Sequence, residues 1–112
     1  MKLGISAKGT TLDDKMDMRF GRATGFIIYD TETKTYDYID NAQNAQAAQG
    51  AGIQSAQKVV NENVSAVISG YCGPKAYSVL KSSNVKIYNA EEDSMKNIIE
   101  KFTNNELKEQ ED

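Results

Sequence analysis

The chain has no histidine and a single cysteine, Cys72. The first absence removes the commonest catalytic base and the commonest metal ligand together. The second excludes an internal disulfide and, with no histidine to help, the closed cysteine and histidine set of a structural zinc site. Basic charge is not in surplus either. Thirteen Lys and Arg face 16 Asp and Glu, a net charge of −3, whereas a general nucleic-acid binder gathers a positive excess on one face. There is no charged-then-apolar leader and no long apolar run, so neither a secretion signal nor a membrane span is expected and a reducing cytoplasm is the expected setting. At 112 residues the chain suits one domain with a real core and a radius of gyration of about 13 Å.

What is present centres on Val64-Ser65-Ala66-Val67-Ile68-Ser69-Gly70-Tyr71-Cys72-Gly73-Pro74-Lys75-Ala76. The apolar run is too short for a helix and rich in β-branched residues, so it reads as a buried strand of a parallel sheet. Pro74, the only proline, suits the first helical turn, where its missing N–H costs nothing. Gly70 and Gly73 are expected to take unusual backbone angles and to leave amides open to a ligand. A helix start with free N–H groups is an anion site by construction.

In chain order, Lys2 to Ala7 reads as the first strand, followed by a long loop from Lys8 to Arg22, polar through Asp14, that is expected to be functional or disordered. Gly25 to Asp30 and Thr35 to Asp40 form an antiparallel hairpin. Asn41 to Gln49 holds only Asn, Gln and Ala, a tract open to disorder, to a floppy lid or to fraying into the next helix. Gly50-Ala51-Gly52 opens that helix, with Ile53, Ala56 and Val60 on its inner face. Ala76, Val79 and Leu80 mark a second helix, and Val85 to Tyr88 a last strand. Met95, Ile98, Ile99 and Phe102 mark a third helix, with Glu91, Glu92 and Asp93 at its positive end. The expected domain is 1–103, with 104–112 as an acidic, solvated, disordered tail.

A hairpin trio followed by helical crossovers makes an α/β fold, a mixed sheet with helices on both faces. Its strand directions bring the loop after Ala7, the approach carrying Arg19 and Arg22, the Asn/Gln tract, the Cys72 turn and the loop after Tyr88 to one edge. In open α/β sheets that edge is where ligands bind. Arg19, Arg22 and Lys75 with the helix starts at Gly50-Ala51-Gly52 and Gly73-Pro74 would make a positive pocket in an acidic protein. The plainer alternative is that Arg19 and Arg22 pair with Asp13, Asp14 or Asp17 at the surface. Cys72 beside a helix start is expected to be an available thiolate, a soft metal ligand, or else a buried structural thiol. Met16 and Met18 would complete a soft sulfur set with it, unless they are core or loop filler. Cysteine catalysis lacks its histidine partner, and the turn lacks the Lys-Ser/Thr ending of a phosphate-binding loop.

The segments Arg19-Phe20-Gly21-Arg22-Ala23, Tyr29-Asp30-Thr31-Glu32-Thr33, Gly50-Ala51-Gly52-Ile53-Gln54-Ser55-Ala56, Gly70-Tyr71-Cys72-Gly73-Pro74-Lys75-Ala76 and Val85-Lys86-Ile87-Tyr88 follow one another along the chain. In that order and spacing they resemble the dinitrogenase iron-molybdenum cofactor biosynthesis family, which includes NifX-like proteins and the C-terminal domain of NifB. The resemblance runs from Met1 to about Phe102. It implies a ribonuclease H-like motif fold with a five-stranded sheet in order 3-2-1-4-5 and three helices. It also implies a carrier or scaffold, not an enzyme, that binds an anionic iron-sulfur, iron-molybdenum or molybdenum-copper sulfide cluster non-covalently and exchanges it with a donor or acceptor protein. Nuclease activity is not implied, because Lys2 to Ala7 carries no acidic residue. Where many relatives carry histidine, this chain has Arg19 and the Asn/Gln tract. The residues assigned to the cluster are therefore Arg19, Arg22, Gly50, Gly52, Gly70, Gly73 and Lys75, with Cys72, Met16 and Met18 as candidate metal ligands. A metal-free module for a small anionic metabolite would use the same pocket.

Overall fold

The computed structural model describes residues 1–111. At its centre is β1 (Lys2–Ala7), which sends Leu3, Ile5 and Ala7 to one face of the sheet and Gly4 and Ser6 to the other. It pairs antiparallel with β2 (Gly25–Asp30), in a register running from Lys2 opposite Asp30 to Ala7 opposite Gly25. A tight hairpin then adds β3 (Tyr36–Asp40) outside β2. On its other side β1 runs parallel to β4 (Ala66–Ser69), and β4 parallel to β5 (Lys86–Asn89).

The expected order 3-2-1-4-5 is present, but the sheet has six strands, in order 3-2-1-4-5-6. The sixth, β6 (Lys108–Glu109), pairs antiparallel with β5. It lies in the segment expected to be a solvated tail, and Gln110 beyond it is buried; Asp112 lies outside the described residues. The open edge of β5 supplies the backbone partners that this polar segment has no apolar pattern to announce.

The described residues form four helices where three are expected: α1 (Ala42–Ala45), α2 (Ala51–Val60), α3 (Pro74–Ser82) and α4 (Met95–Thr103). α2 and α3 cover one face of the sheet, enclosing Phe20, Phe26, Val59, Val67, Cys72, Leu80 and Ile87. α4 covers the other, where Met95, Ile98 and Ile99 meet Leu3, Ile5, Met16, Ile27 and Ile68. The buried face of α2 is Ser55, Ala56 and Val59; Ile53 and Val60, expected inside, are only half-buried. Opposite them, Gly4 leaves the room that Val59 fills: a Cβ there would stand 2.9 Å from Val59 Cγ1.

Two segments for which disorder is one of the expectations are tied down. The segment after β1 turns back so that Lys8 N–H donates to Lys15 O at 3.0 Å, and its carbonyls at Leu12 and Asp14 receive the Lys96 and Met95 amides at 2.9 Å each. The Asn/Gln tract forms α1, anchored by buried Asn41, whose Nδ2 donates to Ala23 O at 3.0 Å and Ser55 Oγ at 2.9 Å. The chain before β2 takes one 3-10 turn, Phe20–Arg22. Phe20 is buried against Phe26, ring centroids 5.1 Å apart. Burying such a ring is worth roughly 1.5–3 kcal/mol, against about 0–1 kcal/mol for an exposed ion pair, so this turn is held by the core and not by its charges.

Candidate functional site

The strand directions bring the starts of α2, α3 and α4 to the same edge of the sheet, beside the 3-10 turn. β1 is the point where the chain, having built β2 and β3 on one side, crosses to build β4 and β5 on the other. Beneath that point the buried hydroxyls of Ser6 and Ser69 lie 2.8 Å apart, and Ser6 Oγ donates to Asp17 O at 2.6 Å. This pair ties the loop carrying Asp17 and Arg19 to both central parallel strands.

Above it three stretches of backbone crowd together. A Cβ built on Gly21 would stand 3.0 Å from Gly52 Cα and 3.2 Å from Gly52 N, and one built on Gly52 would stand 3.5 Å from Ala76 Cβ. The 3-10 turn, the start of α2 and the start of α3 are therefore in van der Waals contact through residues with almost no side chain. Between them opens a pocket of about 350 Å³ lined by Gly21, Gly52, Gly73, Pro74, Lys75 and Ala76. Its walls are mostly carbon, and its one charged side chain is Lys75.

Two helix starts stand at this pocket. α2 starts from Gly50, whose φ of 78° lies in the left-handed region, and α3 from Gly73; neither residue offers a capping side chain. Among the described residues, the N–H groups of Gly52 and Ile53 on α2, and of Lys75 and Ala76 on α3, donate to no protein acceptor. α4 differs. Its Met95 and Lys96 amides donate to Asp14 O and Leu12 O, each at 2.9 Å, and its Asn97 amide donates to the Ser94 hydroxyl at 3.2 Å. The same fold thus closes one helix start with its own atoms and leaves two open side by side. Each open start carries about half a positive charge.

Of the residues expected at the site, Gly52, Gly73 and Lys75 line the pocket and Gly50 sets the entry angle of α2. Gly70 and Gly73 do not take the unusual angles expected of them, since Gly50 is the glycine with positive φ. Gly70 is required by contact instead: a Cβ there would stand 2.9 Å from Met18 Cα. A Cβ on Gly73 would meet nothing within 4 Å. Arg22 is spent nearby, its Nη1 donating to Ala45 O at 2.9 Å and Ala47 O at 2.8 Å, where it closes α1. Arg19 is exposed, its Nε 3.6 Å from Asp17 Oδ1, as the surface-pair alternative had it.

The sulfur set is not assembled. Cys72 is fully buried in the core beneath α2 and α3, and burial pushes its thiol up to about 12, the opposite of the thiolate expected at a helix start. Met16 is buried on the opposite face of the sheet, bridging to Ala7, and Met18 is exposed at the rim beside Gly70. Among the described residues, no group of three or more Cys, Asp or Glu side chains could hold a metal ion. Sequence reasoning left Gly21 and Ala76 unassigned although both stand in the quoted motifs, and it missed Gln110. Nothing in the local pattern around Gln110 signals its burial.

With two helix starts, one ammonium and carbon walls, the pocket can hold an anion. A family model described as dinitrogenase iron-molybdenum cofactor matches residues 1–105. The apo form of the orange protein from Desulfovibrio gigas superposes with a TM-score of 0.94 at 30% identity, covering 97% of this chain and 92% of that one. A NifB candidate protein from Thermotoga gives a TM-score of 0.86 at 31% identity, covering 96% and 91%. An uncharacterized protein of Methanocaldococcus jannaschii is 33% identical over 99 residues, 85% of this chain and 82% of that protein.

Proposed function

The chain belongs to the dinitrogenase iron-molybdenum cofactor family, and on that footing we propose that it carries an anionic metal-sulfur cluster, or a precursor of one, held non-covalently between the starts of α2 and α3. The observation that carries this reading is the contrast among the helix starts: α4 is closed by Asp14, Leu12 and Ser94, while α2 and α3 present amides without protein acceptors to one pocket. Unpaired buried or half-buried N–H groups cost free energy unless something accepts from them. A polynuclear sulfide anion accepts many weak hydrogen bonds at once and tolerates carbon contacts with Pro74 and Ala76 that a strongly hydrated phosphate would not. Lys75 supplies the full positive charge.

Within this reading the cluster is cargo and not a resident cofactor, and no side chain ligates its metal. Cys72 faces the core, so Gly52, Ile53, Lys75 and Ala76 bind through N–H groups alone. Release to an acceptor protein then needs no metal–ligand bond to break, which suits a carrier. Iron-sulfur, iron-molybdenum and molybdenum-copper sulfides all present the acceptor surface such a pocket would take.

The test is reconstitution without oxygen, using iron with sulfide in one arm and tetrathiomolybdate with copper in the other, followed by gel filtration, visible spectra and metal analysis. Charge-transfer bands should travel with the wild type and with Cys72→Ala, and should weaken strongly in Lys75→Glu. Protein that stays colourless in both arms overturns the proposal. Thermal stabilisation by phosphate- or carboxylate-bearing metabolites would in that case assign the pocket to a metal-free binding module.

A further inference from the structure

The turn that presents α3 to the pocket is held from the far end of the chain. After α4 the backbone reverses at Asn105, with φ of 58°, and β6 lays Lys108 opposite Asn89 and Glu109 opposite Tyr88. The next residue, Gln110, donates its own N–H to Ile87 O at 2.7 Å. Its side chain then turns inward. Oε1 accepts from Cys72 N–H at 3.0 Å, and Nε2 donates to Cys72 O at 2.8 Å. Asn89 Nδ2 donates to the same Oε1 at 2.8 Å. The carboxamide of Gln110 therefore pairs with both ends of Cys72 as a neighbouring strand would.

Cys72 is fully buried, so its N–H and C=O need partners inside the protein. Gln110 provides both. Cys72 immediately precedes Gly73, the residue from which α3 starts, and its carbonyl orientation sets the plane of the Gly73 amide. Lys81 of α3 also pairs with Glu109 at 3.7 Å, but both groups are well exposed and such a pair is worth little. Gln110 is thus the one strong tie between β6 and the site.

We infer that Gln110 is a positioning residue for the pocket: from beyond residue 105, where the family model ends, it fixes the Cys72 peptide and with it the aim of the α3 amides. The inference rests on the anion-carrier reading for its ligand, and its geometry can be tested without one.

The experiment compares wild type, Gln110→Ala and Gln110→Glu by amide hydrogen exchange and nitrogen-15 NMR, and by the Kd for tetrathiomolybdate well below every melting temperature. Gln110→Ala should speed exchange of the Cys72 amide, shift the Gly73, Lys75 and Ala76 resonances, and raise Kd about tenfold, the scale of one hydrogen bond's net worth. Gln110→Glu keeps the acceptor but sets a carboxylate oxygen against Cys72 O, so it should disturb the same amides at least as much as Gln110→Ala. A role confined to stability would lower the melting temperature while leaving Kd and those resonances at their wild-type values, and that result overturns the inference. If wild type takes up no tetrathiomolybdate, the carrier reading fails on its own. The resonances then decide the positioning role alone, and unshifted Gly73, Lys75 and Ala76 amides overturn it.

Discussion

Gly21 approaches the start of α2 so closely that a methyl group on it would stand 3.0 Å from Gly52 Cα and 3.2 Å from Gly52 N. The neighbour is backbone and cannot swing aside, and Phe20 next to it is locked in the core. Gly21→Ala should therefore cost about 1–3 kcal/mol, the usual penalty of overpacking. Urea titration checks this. A loss under 0.5 kcal/mol, the usual size of a surface change, would mean that the 3-10 turn can slide away from α2.

Gly73 is the opposite case. Its φ of −63° and ψ of 167° suit any residue in the capping position, and a Cβ there enters open space. Gly73→Ser should let the hydroxyl accept from an α3 amide and gain about a few tenths of a kcal/mol of stability. The same hydroxyl would compete with a bound anion for that amide. Higher stability with weaker anion uptake is the expected pair of results, read from urea titration and from Kd. Unchanged uptake in the more stable variant would show that the α3 amides are not used.

The buried thiol makes a third expectation. Because burial pushes Cys72 up to about 12, from roughly 8.5 for an exposed thiol, the folded protein keeps a proton that the unfolded chain releases. The stability this contributes is complete below the unfolded value and is lost as pH rises through the interval towards the folded one. Iodoacetamide at neutral pH should leave native protein unmodified and label it fully in denaturant. Rapid native labelling would restore the thiolate.

How far the sequence discloses this arrangement depends on whether the partner of each residue is local. Strand alternation around Leu3 and Ile5, the hairpin turn at Thr31 to Lys34, and the Met95, Ile98, Ile99 spacing are local signals, and the elements they mark stand where they point. The strand directions they imply bring the pocket residues to one edge. The orientation of Cys72 is not local: whether it faces solvent or core is decided by the packing of α2 and α3 and by Gln110, remote in sequence. Arg22 looks available from its neighbours and is occupied by carbonyls at and just beyond the end of α1, Ala45 and Ala47, in a polar tract that shows no apolar face. β6 has only two residues, and its existence depends on the free edge of β5.

The most direct test of the carrier reading is an amide-by-amide NMR titration of the protein with tetrathiomolybdate without oxygen. The account predicts saturable shifts at Gly52, Ile53, Lys75 and Ala76, whose N–H groups have no protein acceptor, with the α4 amides of Met95, Lys96 and Asn97, which are already paired, unmoved. Shifts centred on α4 or spread evenly over the surface, or none at all, would contradict it.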